Sequence, residues 1–189
     1  APPLTDLGSA QYLGFPGGLY PDGKNSRPPA HQDAGITLGA TVQPVDREGK
    51  PSAAGKVVMI SIGISNASRE FSQFIRLAEA DPRKNPNLLL IDAARDRAAA
   101  TQIAVPFGDY WIHVERQLQH GEISSAQVQV IWLKTALAHE SCGFPENARL
   151  LQRTLRSIVG ILRKKFPQLK LVYVSSRTYG GYSKSDLSP

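Results

Sequence analysis

A single cysteine, Cys142, stands in a chain of 189 residues. It excludes an internal disulfide, and no cysteine cluster exists to hold a structural zinc. No Gly-x-Gly-x-x-Gly or Walker sequence is present, so the sequence carries no phosphate-cradling nucleotide motif. No apolar run approaches the ~20 residues that cross a bilayer, and no membrane partner is expected. Basic and aromatic residues are not interleaved as they are in proteins that stack on single strands, which sets nucleic acid aside. Histidine is scarce: His31, His113, His120 and His139 are all there are. No metal and no cofactor are expected.

The positive charge, +6 from 22 basic and 16 acidic residues, is scattered apart from Arg163-Lys164-Lys165. That cluster falls at a predicted helix end, where cations suit the macrodipole. The excess favours anionic surfaces or substrates. Apolar residues make up 41% and charged residues 20% of the chain, which places it among ordinary globular proteins. The chain opens Ala-Pro-Pro without Met. That fits a processed N-terminus, and the expectation is an exported, periplasmic protein, with the cytoplasm as the alternative.

Residues 1–29 are rich in Gly and Pro and carry Tyr12, Phe15 and Tyr20 as aromatic anchors. They predict an arm of ordered loops. A short helix is predicted over 30–42, and a β-turn at Asp46-Arg47-Glu48-Gly49. The whole arm, residues 1–55, is expected to pack on an α/β domain over 56–189, one domain overall.

Residues 57–62 are nearly all apolar and rich in β-branched side chains, the pattern of a buried parallel strand. Phe71, Phe74, Ile75 and Ala78 then repeat at helical spacing. Further strands are predicted over 88–91, 128–133 and 169–174. Helices are predicted over 110–120 and 146–166; Leu151, Leu155, Ile158, Val159, Leu162 and Phe166 make the apolar stripe of the second. Strands alternating with helices predict a doubly wound parallel sheet of at least four strands, flavodoxin-like, in three α/β/α layers. Ligands of such sheets sit beyond the carboxyl ends of the strands. Segments 64–66, 92–97, 134–142 and 175–182 converge there.

Between the first strand and its helix lies Gly63-Ile64-Ser65-Asn66. Gly63 permits a tight turn, and Asn66 or Ser68 can cap the helix. A serine on such a turn puts its hydroxyl at the sheet edge, beside helix-start N–H groups able to hold an oxyanion. Turn and cap chemistry alone accounts for the same residues. Cys142 beside His139 and Glu140 is a rival nucleophile. The elbow of α/β-hydrolases ends in Gly, where Ala67 stands here.

Gly63-Ile64-Ser65 sits where the SGNH (GDSL-like) hydrolase superfamily writes Gly-Asp-Ser. Several ordered segments resemble an SGNH-like bacterial group: residues 11–20, residues 61–66 with Glu70-Phe71, residues 130–134, and residues 175–182. The resemblance implies a serine ester hydrolase, of esterase or acetylesterase type, working through an acyl-enzyme on a small ester or acetylated substrate. It implies Ser65 as nucleophile, with Ser65 and Asn66 at the oxyanion. The superfamily's second donor is a Gly, where Ala93-Ala94 stand; the third is an Asn, where Lys134 or Thr135 stands. Arg177 joins Arg95, Arg97 and Lys134 as an anion-friendly rim. The superfamily's Asp-x-x-His is absent from these residues. Three readings follow: a base further downstream, His139 recruited as base and oriented by Glu140 or Asp92, or a catalytically incomplete binding domain for an anionic or carbohydrate ligand. An exposed sheet edge would also favour a homo-oligomer.

Overall fold

The computed structural model describes residues 3–138 and 142–176. The described residues divide into two compact units, a smaller one over residues 3–40 and a larger one over residues 41–176.

In the smaller unit, α1 (Leu4–Leu7) leads into a two-stranded antiparallel pair, β1 (Gln11–Tyr12) and β2 (Phe15–Pro16). Side-chain and backbone bonds close it: Asn25 Nδ2 donates to the Thr5 carbonyl at 2.8 Å, and Gly18 N to the Leu4 carbonyl at 2.8 Å. The helix α2 (Pro29–Gly39) starts with a proline in its first turn, where a missing N–H costs nothing. It ends short of the predicted residue 42.

In the larger unit the elements are β3 (Val57–Gly63), α3 (Ser65–Ala80), β4 (Leu88–Asp92), α4 (Ala100–Ile103), α5 (Asp109–His120), β5 (Val128–Lys134), α6 (Glu146–Lys165) and β6 (Leu171–Val174). The four strands form one parallel sheet in the order β4-β3-β5-β6. This is the flavodoxin-like α/β arrangement read from the sequence. β3 is central, and all its residues but Met59 are buried.

Alternation along the strands sorts the helices. Val58, Ile60, Ile62, Ile131 and Leu133 share one core with Trp111, Val114 and Leu118 of α5 and Ile158, Ile161 and Leu162 of α6. On the other face Trp132 stacks on Phe71 of α3, ring centroids 5.9 Å apart. Helices thus cover both faces, as a parallel sheet requires. The edge strands are β4 and β6.

Residues 41–55 belong to this unit. Val45 is buried and pairs with Lys56. Buried glutamines at the start of β5 hold the same stretch. Gln129 Nε2 donates to the Gln43 carbonyl at 2.7 Å, its Oε1 accepts from Gln43 N at 3.2 Å, and Gln127 Nε2 donates to the Val45 carbonyl at 3.1 Å.

Two local expectations differ from the structure. α3 begins at Ser65, with Ile64 in the cap position and no side-chain cap bond, so neither Asn66 nor Ser68 caps it. α4, one turn long, falls between β4 and α5, where no helix was predicted.

Candidate active site at the carboxyl edge of the sheet

The register brings two strand ends together: Ser61 lies opposite Asp92, and Gly63 opposite Lys134. Gly63 is required at its position. A Cβ there would overlap the Lys134 carbonyl and meet Ala67 Cβ at 2.8 Å. Chain and helix therefore leave β3 in close contact with β5, and Ser65 occupies the first residue of α3.

Ser65 is half-buried and Asn66 exposed. Among the described residues the Ser65 hydroxyl has no hydrogen-bond partner, and neither do the N–H groups of Ser65 and Asn66. The next two amides are spent: Ala67 N and Ser68 N both donate to the Ile64 carbonyl, at 2.8 and 3.3 Å. Two open donors thus stand beside one open hydroxyl at a helix start, where the macrodipole favours negative charge.

The loop after β4 is organised differently. Asp92 accepts from Ser61 Oγ and from Ser68 Oγ, and its Oδ1 takes Ala94 N at 3.1 Å. Ser61 Oγ in turn accepts from Ala93 N at 3.0 Å and Ala94 N at 3.1 Å. The Ala94 N–H, expected as an oxyanion donor, is therefore turned into this cluster. Asp92 likewise has its oxygens engaged and ties β3, β4 and the first turn of α3 together. Arg95 N closes the loop onto the Gly63 carbonyl at 3.0 Å.

Tyr110, in the first turn of α5, reaches the same turn from the opposite layer. It is 2% exposed. Its hydroxyl accepts from Gly63 N at 2.9 Å and donates to the Ala93 carbonyl at 3.2 Å. Burial pushes its pKa well above the usual phenol value.

Lys134 does not extend into open space. Its ammonium donates to both oxygens of Glu70 on α3, at 2.6 and 2.7 Å, with 7% of its side chain exposed. Thr135, next along, is 5% exposed, and its hydroxyl has no partner among the described residues.

His113 lies one turn beyond Tyr110. Its pKa is lowered by burial, against a backbone bond with Ala94 that raises it. Its Nε2 is buried without a partner among the described residues. His120 ends α5, whose start is the end beside Gly63. His31 belongs to the smaller unit. His139, Glu140 and Arg177 lie outside the described residues.

Beside the Arg95 loop is a cleft of about 310 Å³, lined by Arg95, Arg97, Gln102, Val105 and the start of α5. Among the described residues no group of His, Cys, Asp and Glu is placed to hold a metal ion. No helix among them is long and apolar enough to cross a membrane.

No protein-family model, curated protein or solved structure matches the chain. The site must be read from its own geometry.

Tyr110, Ser61 and Glu70 are the residues of this edge whose roles the sequence left unread. Ser61 carried a faint signal, a hydroxyl alone in an apolar strand two residues before the turn glycine. Tyr110 carried none, because its position on the apolar side of α5 accounts for it without a polar role.

Proposed function

We propose that this chain is an SGNH-like serine ester hydrolase of the esterase or acetylesterase type. The observation that carries the reading is Ser65. It stands at the first residue of a helix following the central parallel strand, and among the described residues its hydroxyl and the N–H groups of Ser65 and Asn66 have no partner. Ser65 Oγ attacks the ester carbonyl, and the C–O bond to the alcohol breaks as the acyl-enzyme forms. The tetrahedral oxyanion is held by the N–H groups of Ser65 and Asn66. Water then releases the acid from Ser65. His139 is the base assigned to take the Ser65 proton and return it to the alcohol.

One observation favours a second reading, a binding domain that keeps the edge without the chemistry. No described residue hydrogen-bonds the Ser65 hydroxyl, and the Ala94 N–H points away. Hydrolysis of p-nitrophenyl acetate separates the two. In the enzyme, Ser65→Ala lowers kcat/KM by about a thousandfold or more, and His139→Ala does much the same. Equal background rates in wild type and Ser65→Ala would leave the binding domain.

A further inference from the structure

The loop after β4 holds charge that no described residue pairs with. Arg95 and Arg97 line the 310 Å³ cleft, and both are exposed. Among the described residues neither guanidinium has an ion-pair or hydrogen-bond partner. This is notable because two carboxylates, Asp96 and Asp109, line the same cleft. Each acid has a local task instead. Asp96 Oδ1 accepts from Arg97 N at 3.0 Å. Asp109 stands in the first turn of α5, where negative charge complements the helix dipole. The arginines are left as uncommitted forks suited to a carboxylate or phosphate.

Exposed apolar side chains stand on the connection between α4 and α5 that borders the cleft. Val105 lines the cleft and is 51% exposed, and Phe107, on the same short connection between α4 and α5, is 92% exposed. A phenyl ring so bare makes no contribution to the core. Guanidiniums in the lining and exposed apolar side chains on the adjoining connection suit a ligand with both characters.

The cleft is also joined to the serine turn. Arg95 N is bonded to the Gly63 carbonyl, two residues before Ser65, and Tyr110, at the cleft's floor, takes the Gly63 N–H. What binds against Arg95 is thus held by the same backbone that carries the nucleophile.

We infer that Arg95 and Arg97 form an anion subsite, and that the ester this edge takes carries a carboxylate or phosphate, with its apolar part against Val105 and Phe107. The substrate class rests on the serine hydrolase reading; the subsite itself does not. Two measurements keep them apart. The first follows backbone amide shifts while succinate, and separately inorganic phosphate, is titrated into wild type and into the Arg95→Ala/Arg97→Ala double variant. Saturable binding in the wild type, weakened about tenfold or more in the variant, is expected. Succinate binding alone points to a carboxylate ester, and phosphate binding alone to a phosphorylated one. No saturable binding of either anion, or binding unchanged in the variant, overturns the subsite. The second compares p-nitrophenyl acetate with the p-nitrophenyl monoester of succinate. A preference of about tenfold in kcat/KM for the charged ester, abolished in the double variant, is expected if succinate binds. If neither ester is hydrolysed, the serine reading fails while the titration still decides the cleft.

Discussion

Replacing Tyr110 by Phe removes one oxygen and leaves every carbon in place, so it isolates the clasp on the serine turn. The wild-type hydroxyl satisfies Gly63 N at 2.9 Å and the Ala93 carbonyl at 3.2 Å in a site where Tyr110 is 2% exposed. The variant strands a buried N–H, and the gap left by a hydroxyl is too tight for a water with good partners. An unsatisfied buried donor costs about 1–3 kcal/mol, so we expect a loss of about 2 kcal/mol. For a domain of this size that is a fall in Tm of about 4–8 °C. Urea unfolding should show a lower midpoint with an unchanged slope. The half-exposed Tyr173 on the edge strand β6 supplies the control, since Tyr173→Phe should stay within about 0.5 kcal/mol of wild type. A second readout follows from ionisation. The folded-state pKa of Tyr110 is raised, so its contribution is intact below about pH 10 and is lost as pH rises beyond. Wild type should therefore lose stability in alkali faster than Tyr110→Phe. A variant as stable as wild type, with the same alkaline profile, would refute the clasp.

The buried hydroxyl of Thr135 lacks a partner among the described residues, so Thr135→Val should raise stability by about 1 kcal/mol, measured by urea unfolding. A loss of that size would mean the hydroxyl is satisfied. His113 has a folded-state pKa below its ordinary value of about 6.5, so its contribution is present above that pH and lost as pH falls through the folded value. Stability should decline as pH falls below about 6.5, and His113→Gln should flatten that part of the profile. An identical decline in the variant would assign it to other groups.

The sheet was legible because its strands are written in runs that admit one reading. Val57, Val58, Ile60 and Ile62 have little to do except line a core, and Ile158 and Leu162 repeat at a spacing only a helix uses. Ser65 was legible for the same reason, as the residue that a strand-then-helix pattern leaves at the turn. Its neighbours were not. Ser61 with Asp92, Tyr110 with Gly63, and Lys134 with Glu70 are 31, 47 and 64 residues apart. The first pair is set by strand register and the other two by helices packed on the sheet, and both are properties of the assembled fold. Ser68 shows the consequence within one helix turn. Its type suits a cap for its own helix, yet the neighbouring strand end supplies Asp92, and the hydroxyl goes there. α4 escaped because four residues carry too little periodicity to stand out.

The glutamines that hold residues 43–45 bear on how such a protein changes over generations. At the amino end of β5, the Gln127 and Gln129 amides are spent on the Gln43 and Val45 backbone. At the carboxyl end, the Ser65 and Asn66 amides and the Arg95 and Arg97 guanidiniums have no partner among the described residues. Mutational drift at the first end meets a penalty in folding, whereas drift in the exposed side chains at 95, 97 and 107 does not. Lineages descending from such a chain can exchange the exposed residues at 95, 97, 105 and 107 while inheriting the same scaffold unaltered.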